Sequence, residues 1–323
     1  MTAATAPSET TARAVALVAA RREPAEHLGG SLAALINDPD GFASAFRHGL
    51  IGLADPKYLD GQRRVAPGIG AIFGVRWPLL AAVGRGFRQA TRRDRATMML
   101  FLADRLFREP ELEHRWFAFG LLERTLVTDP ERTWQLLRRA AREAGDWITV
   151  DSLAHPYGTG IAQEPYRWAE LELLVYSPSR WERRLVGSTI ATMTHGGRWT
   201  RRDPDLPQRS LDLLGQLIGD AEPDVQKALS WAYRSLAQLD PTATTAVLEA
   251  EANQAIEAAD GHRAWVIRDS LSKLDPSVAA RLRERLSGIR KRPGAASTSR
   301  AAETSSGFGD LPDPVTHPEP PLT

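Results

Sequence analysis

The chain has 323 residues, of which 42% are hydrophobic and 25% are charged, and this is the composition of a globular protein with a sizeable core. It contains no cysteine, which excludes disulfide bonds, cysteine-ligated zinc and iron–sulfur clusters, and with them the zinc deaminases and the iron–sulfur base-excision enzymes. The formal net charge of +1 does not point to nucleic acid, so a basic surface has to come from an uneven distribution of charge.

Helical periodicity runs through the chain, whereas signals for β-strands are scarce. In WPLLAAVGRGF, the residues Leu79, Val83 and Phe87 fall on one helical face, and WQLLRRAAREAG and QKALSWAYRSLAQL follow the same pattern. Helix starts recur where a polar residue precedes proline, at Asp129-Pro130, Ser177-Pro178, Glu222-Pro223, Asp240-Pro241 and Asp275-Pro276. Helices of roughly 10–18 residues joined by short turns pack as antiparallel hairpins, so we predict an all-α chain of stacked helical hairpins, a HEAT-like superhelical α-solenoid.

The two ends of the chain are expected to be loose. We divide the chain into residues 1–28, a flexible N-terminus with the start of the first helix, residues 29–288, the helical domain, and residues 289–323, a disordered tail rich in proline and serine. Basic residues cluster before or at the start of this tail: Arg281, Arg283, Arg285, Arg290, Lys291 and Arg292. They are either the solvated side of a last helix or an accessory arm that binds phosphate.

Several classes of protein are excluded by what the sequence lacks. No segment is apolar enough to span a membrane, and the N-terminus lacks the basic stretch that opens a secretory signal, so we expect a cytoplasmic protein. The glycine-rich segment at residues 68–74 has neither the preceding strand nor the spacing of a dinucleotide-binding loop, so we interpret it as a turn between helices. The seven histidines show no metal-ligand spacing, and we predict no metal site.

The segment DWITVDS is the first that could carry chemistry. Trp147 and Asp151 are four residues apart, so a helix places them on one face. An indole beside a carboxylate could hold a cationic group between a π-face and a negative charge. The same spacing is also compatible with a tryptophan packed in the core and an aspartate near a helix start.

Two later segments combine tryptophan with cations. In SPSRWERRLVGSTIATM, the side chains of Arg183 and Arg184 could meet phosphate. In QKALSWAYRSLAQL, Lys227 lies one turn before Trp231, and Arg234 lies three residues after it, a combination that suits nucleic acid. Each segment taken alone is equally compatible with a buried tryptophan beside surface charges.

Taken in order, DWITVDS, the W-x-R-R of SRWERR and QKALSWAYR resemble the DNA alkylation repair glycosylases of the AlkD type. RWFAFGLLER and FGVRWP are similar to an earlier helix and a turn of that family, and the resemblance covers roughly residues 55 to 275. It implies a curved stack of HEAT-like helical pairs with DNA on its basic concave face. It also implies a monomer that needs no metal and no cofactor and acts at the nucleoid on double-stranded DNA containing alkylated bases.

The resemblance assigns roles to four residues of the candidate site. Asp151 would be the catalytic carboxylate, and Trp147 and Trp231 would be aromatic walls against the deoxyribose of the damaged nucleotide. Arg184 would lie beside the carboxylate and contact the DNA backbone. The family acts without inserting the damaged base into a pocket, in contrast to most glycosylases.

The function that the resemblance implies is excision of cationic purines alkylated at N3 or N7, by hydrolysis of the N-glycosidic bond. Alkylation makes the base a good leaving group, and its departure leaves an oxocarbenium-like sugar that a carboxylate stabilises. Arg183, Lys227 and Arg234 would be further contacts to DNA.

The sequence also departs from the family pattern. Val65 lies near a position where family members often carry a tyrosine, and Pro223-Asp224 replaces a pair of aromatic residues. These departures leave open a non-catalytic protein that binds DNA structures on the same fold. A third alternative is a HEAT-like protein-interaction scaffold, which would show no salt-sensitive binding of DNA.

Overall fold

The structure, a computed structural model, describes residues 8–93, 95–197, 199 and 201–307. Within these ranges the regular elements are helices, apart from one isolated β-bridge between Ala71 and Glu111, so the all-α prediction is confirmed. The chain divides into two compact units, Met1–Arg167 and Trp168–Thr323. None of the described helices combines the length and the apolar character that crossing a membrane requires.

The first unit is built from two rows of helices. Its helices are α1 (Glu9–Leu32), α2 (Pro39–Leu53), α3 (Pro56–Val65), α4 (Trp77–Ala90), α5 (Ala96–Leu106), α6 (Leu112–Thr125), α7 (Pro130–Glu143) and α8 (Trp147–Gln163). Helices α4, α6 and α8 pack against one another in sequence to form one row, and α2, α5 and α7 form the other. Neighbours in the chain pack across the rows, α5 with α6 and α7 with α8, so the predicted helical hairpins are confirmed in this unit.

The second unit repeats this arrangement. Its helices are α9 (Trp168–Leu174), α10 (Arg180–Thr194), α11 (Leu206–Leu217), α12 (Pro223–Leu239), α13 (Pro241–Glu257), α14 (Gly261–Ser270), α15 (Pro276–Arg285) and α16 (Arg300–Ser306). Helices α10, α12 and α14 form one row, and α11, α13 and α15 form the other. The start predicted at Ser177-Pro178 lies later, at Arg180, because the Ser177 hydroxyl accepts the N–H of Ser179 at 3.1 Å and holds a turn before the helix.

Aspartate caps followed by proline explain where several helices begin. The side chains of Asp38, Asp55 and Asp240 each accept an N–H of the first turn, with N···O distances of 3.0, 3.1 and 2.9 Å. Proline follows each of them, at a position where its missing N–H costs no helical hydrogen bond. The starts predicted at Pro130, Pro223, Pro241 and Pro276 are confirmed.

Glycine permits the close approach of two helices within a row. A Cβ atom added at Gly187 of α10 would lie 2.8 Å from the carbonyl carbon of Ala228 and 2.9 Å from the amide nitrogen of Leu229, both backbone atoms of α12. No side chain fits into that space without separating the helices. Gly187 therefore sets the spacing between the two helices that carry the candidate residues of the second unit.

The C-terminal region differs from the predicted disorder. Residues 289–307 are described, the backbone N–H of Thr298 donates to the Gly219 carbonyl at 2.9 Å, and α16 packs against α11. Ser299 and Ala301 are buried. The segment is held by small and polar residues rather than by large apolar ones, so composition gave no signal for it. The parts of the terminal predictions that fall on residues 1–7 and 308–323 lie outside the described residues.

Candidate active site

Helix α8 carries the first part of the candidate site. Asp146 caps it, accepting the N–H of Thr149 at 2.8 Å and its hydroxyl at 2.6 Å. Trp147 is the first residue of the helix, and Asp151 follows one turn later on the same face. Both side chains are half-buried, so the carboxylate is held by the fold and still reaches solvent.

The Trp147 indole is fixed on its inner side by an apolar cluster. The cluster consists of Ala66, Ile69, Ile72, Leu112 and Ile148, with Trp147, Leu59 and Trp116 packed against it. The glycine-rich segment at residues 68–74 contributes two of these residues, and Gly70 and Gly74 there have φ values of 74° and 84°. The segment is thus the predicted turn between helices, and its two isoleucines belong to the apolar cluster against which Trp147 packs.

Trp116 on α6 is a residue of this site that sequence reasoning missed. Its indole N–H donates to the Ser152 hydroxyl at 2.8 Å, and that hydroxyl donates in turn to the Ile148 carbonyl at 2.7 Å. Ser152 directly follows Asp151 in α8, so Trp116 ties the turn that presents the carboxylate to the neighbouring helix. The hydrogen bond joins residues 36 positions apart, and no local pattern reveals such a contact.

A groove of about 300 Å³ runs between α4 and α6 beside Trp116. Trp77 stands at its edge, 59% exposed, with its ring at 90° to that of Trp116 and a centroid separation of 6.2 Å. The other lining residues include two glycines and three arginines: Gly84, Gly120, Arg85, Arg88 and Arg124. The row of helices that presents Asp151 therefore also presents aromatic and cationic side chains.

Arg183 and Arg184 of α10 differ in their surroundings. Arg184 is 5% exposed, and one guanidinium nitrogen donates to the backbone carbonyl of Asp224 at 2.6 Å. The residue that replaces an aromatic of the family pattern thus supplies the carbonyl that orients Arg184. Arg183 donates to the buried carboxylate of Asp220 at 2.7 Å and to the Ser177 carbonyl at 2.8 Å, so it links α10 to the turn before α12.

Helix α12 carries the remaining candidates on its outer face. Trp231 is half-buried, Lys227 one turn earlier is exposed, and Arg234 three residues later is half-buried. The Arg234 guanidinium donates to the carboxylate of Asp269 on α14 at 2.9 Å and to its carbonyl at 2.8 Å. These three residues share the face predicted for them, and they lie in the same row as Arg184.

Val65 ends α3 and is 72% exposed. Its aliphatic side chain presents no aromatic face.

Among the described residues, one group of potential metal ligands lies close together. Ligand atoms of Glu109, Glu111 and His114 lie within 4.8 Å of one another. The Arg47 guanidinium donates to both carboxylates and supplies the positive charge between them, so we interpret the group as an ion-pair cluster. Burial lowers the pKa of His114 to about 4, which keeps the imidazole neutral near pH 7.

Comparison with known proteins adds three findings. A sequence model for a family described as DNA alkylation repair enzyme matches residues 46–274. Among solved structures, the chain is similar to AlkD2 from Streptococcus mutans, with 14% sequence identity and a TM-score of 0.41, over 82% of this chain and 100% of that one. A search of curated protein sequences found no match.

Proposed function

Because the chain belongs to the family of DNA alkylation repair enzymes, we propose that it is a DNA glycosylase for cationic purines alkylated at N3 or N7. It hydrolyses the N-glycosidic bond and leaves an abasic site. Its substrate is double-stranded DNA, and it acts as a monomer in the cytoplasm, at the nucleoid, without a metal or a cofactor. Membership of this family supports repair of alkylated DNA as the general role of the protein.

The observation that carries this proposal is the pair formed by Trp147 and Asp151 on α8. The two side chains lie one turn apart on one face, both half-buried, with the indole fixed against an apolar cluster. A carboxylate held beside an aromatic wall suits a substrate that carries positive charge before and during the reaction.

The chemistry uses the charge that alkylation places on the base. The bond between C1′ and the purine nitrogen breaks, and its electron pair leaves with the base, which becomes neutral. The sugar then carries the positive charge as an oxocarbenium-like ion, which the Asp151 carboxylate stabilises. A water molecule adds to C1′ and loses a proton, with the carboxylate positioned to orient it.

The other candidate residues act on the DNA around the reacting sugar. We assign Trp231 to the second aromatic wall and Arg184, oriented by the Asp224 carbonyl, to the backbone beside the lesion. Lys227 and Arg234 supply further phosphate contacts. Arg183 contributes to this surface while its guanidinium is paired with Asp220, so its contact with DNA is the weakest of the set.

The test is release of free base from methylated duplex DNA, followed by chromatography. We expect 3-methyladenine or 7-methylguanine from the unsubstituted protein. Asp151→Asn should lower the single-turnover rate by about 10²–10³-fold or more, the loss typical of a group that stabilises transition-state charge. The affinity for undamaged DNA should stay within a few-fold of that of Asp212→Asn, which removes the same charge at an exposed position on α11.

A non-catalytic DNA-structure binder is the second candidate, and the exposed Val65 favours it because it lies near a position where the family often carries a tyrosine. In that case no base is released, and branched or bent DNA binds more tightly than straight duplex. Equal base release by the unsubstituted protein and by Asp151→Asn would contradict the glycosylase mechanism with this carboxylate.

A further inference from the structure

Residues 288–299 form a segment, here called the C-terminal strap, that is docked on the second unit. A Cβ atom at Gly261 would lie 2.3 Å from the Arg290 carbonyl oxygen, so the strap passes directly over the start of α14. The His262 ring lies 3.1 Å from the Ala295 carbonyl, and Thr298 bonds to Gly219. The strap is therefore fixed along its length, although it lies beyond the residues 46–274 that the family shares.

The strap brings Lys291 into contact with the row that carries the candidate DNA contacts. The Lys291 ammonium lies 4.0 Å from the ring centroid of Trp265 on α14 and donates to the Gln226 side chain on α12. Gln226 precedes Lys227, which is exposed on the same helix. Lys291, itself half-buried, thus links α14 to the buried Gln226 of α12 and lies close enough to feel the charge of the exposed Lys227.

A second pair of cations lies at the start of the strap. Arg268 of α14 donates to the carbonyls of Leu286 and Ile289, at 2.8 and 2.9 Å, which places it beside the exposed Arg290. Burial and the charge of Arg290 lower the pKa of Arg268. Burial and the charges of Arg268 and Lys227 lower the pKa of Lys291. The cations therefore repel one another in the absence of an anion.

Acidic side chains offset this charge only in part. Asp269 is the acidic group that raises the pKa of Lys291, and its carboxylate is also paired with Arg234 at 2.9 Å. Charge repulsion thus links Lys291 to Arg268 and Lys227, and Arg268 to Arg290, while the Asp269 carboxylate that attracts Lys291 is already paired with Arg234. Such a surface is complementary to an anion with several negative oxygens.

We propose that the C-terminal strap, together with Lys227 and Arg268, forms a binding site for backbone phosphates of DNA. The inference rests on the proposed function, since the ligand is the same duplex. It assigns Arg290 and Lys291 of the basic cluster near the tail to the accessory phosphate-binding arm, whereas Arg283 and Arg285 lie on α15, which packs against α13 in the other row. The site extends the DNA contact beyond the region common to the family.

The test measures the affinity for a short, undamaged, fluorescein-labelled duplex at several salt concentrations. For the unsubstituted protein, log K should fall linearly with log salt. In the Arg290→Gln/Lys291→Gln variant this fall should be shallower, with the magnitude of the slope reduced by about 0.9 for each phosphate no longer neutralised, so by one to two in total. Binding should weaken about equally for all duplex sequences. Arg290→Gln alone removes an exposed side chain and should lower the slope by about one without affecting folding.

The matched control is Arg283→Gln/Arg285→Gln, which removes two exposed cations from α15, a helix that packs against α13 in the other row. A slope for the strap variants equal to that of the control overturns the proposal. Base release by excess Arg283→Gln/Arg285→Gln should equal that of the unsubstituted protein, since these two residues lie outside the proposed surface. If the unsubstituted protein binds no DNA, the proposed function fails and this inference fails with it, whereas unchanged slopes with base release intact overturn the strap site alone.

Discussion

The hydrogen bond from Trp116 to Ser152 gives a single-residue test of how the carboxylate is positioned. Trp116→Phe keeps an aromatic ring against the apolar cluster but removes the indole N–H that donates at 2.8 Å. We expect the single-turnover rate of base release to fall about 2- to 10-fold, the equivalent of one hydrogen bond of about 0.5–1.5 kcal/mol. The affinity for undamaged DNA should not change, since no group that contacts phosphate is altered.

Trp77→Phe is the matched control for this prediction. Trp77 lies against Trp116 at the edge of the same groove, and it is 59% exposed. The same substitution there should leave the rate near that of the unsubstituted protein. Equal rates for Trp116→Phe and Trp77→Phe would show that Trp116 serves packing alone.

At the scale of single residues, local spacing predicted which candidate residues share a helical face but not their partners on other helices. Residues four apart share a face in any helix, and Trp147 and Asp151 both lie in helix α8. The partners of these residues come from other helices, as Trp116 does for Ser152. Lys291 reaches Gln226 across 65 positions, and a single sequence carries no signal for such a pairing.

Among the helices, the close approach of α10 and α12 depends on Gly187. An alanine methyl at this position would lie 2.8 Å from a backbone carbon of Ala228, which cannot move aside as a flexible side chain could. We expect Gly187→Ala to destabilise the second unit by about 1–3 kcal/mol, the usual cost of overpacking. It should also lower base release, because Arg184 and Trp231 are carried by these two helices.

Gly120→Ala on α6 is the control for this effect. A Cβ atom there meets nothing within 4 Å, so alanine should stabilise the helix by up to about 1 kcal/mol. Thermal unfolding of the two variants should therefore shift in opposite directions. A neutral Gly187→Ala variant would mean that α10 and α12 can separate without a cost.

Helix positions were predictable for reasons that can be stated element by element. Asp240 followed by Pro241 combines a side-chain cap with a first-turn proline, and both signals are local. Ser177-Pro178 has the same form, yet its hydroxyl caps a turn instead of the helix. The segment around Thr298 was predicted to be disordered because its order comes from contacts with Gly219 and Asp260, which lie far away in the sequence.

Over the whole molecule, the near-balance of 41 basic and 40 acidic residues hides how the charges are used. Some arginines form internal pairs, such as Arg47 with Glu109 and Glu111. Others lie close to further cations, as Arg268 does to Arg290 at the start of the C-terminal strap. Net charge therefore gives no indication of how the cations are arranged, and the proposed DNA-binding surface depends on that arrangement.

The pH dependence of stability follows from which groups have shifted pKa values. Burial lowers the pKa of His114 to about 4 from an ordinary value of 6.5, so between these values the unfolded chain binds a proton that the folded chain does not. The free energy of unfolding should therefore fall as the pH drops through this window, by up to about 3 kcal/mol from this one group.

Two buried carboxylates also make the free energy of unfolding depend on pH: Asp55 does so at a lower pH than His114, and Glu113 changes it in the opposite direction. Burial acts to raise the pKa of Asp55, but hydrogen bonds from Arg76 and Arg13 outweigh it, so the pKa lies below 3.8. The stability that Asp55 contributes is present above that value and is lost at more acidic pH. Burial raises the pKa of Glu113 above 4.5, although three backbone N–H groups oppose the shift. The contribution of Glu113 to the free energy of unfolding therefore increases as the pH falls toward 4.5.

His114→Phe distinguishes the contribution of the histidine to the pH dependence of stability from the contributions of Asp55 and Glu113. The ring would keep its contacts with Phe46 and Phe73, whose centroids lie 5.3 and 5.8 Å from that of His114. We expect urea unfolding of the variant to depend less steeply on pH between about 6.5 and 4.5, because the contributions of Asp55 and Glu113 are common to the two proteins and cancel at each pH. His155→Gln, at an exposed position on α8, should follow the unsubstituted protein. If His114→Phe also loses stability as steeply in this window, the buried imidazole is not the group that titrates.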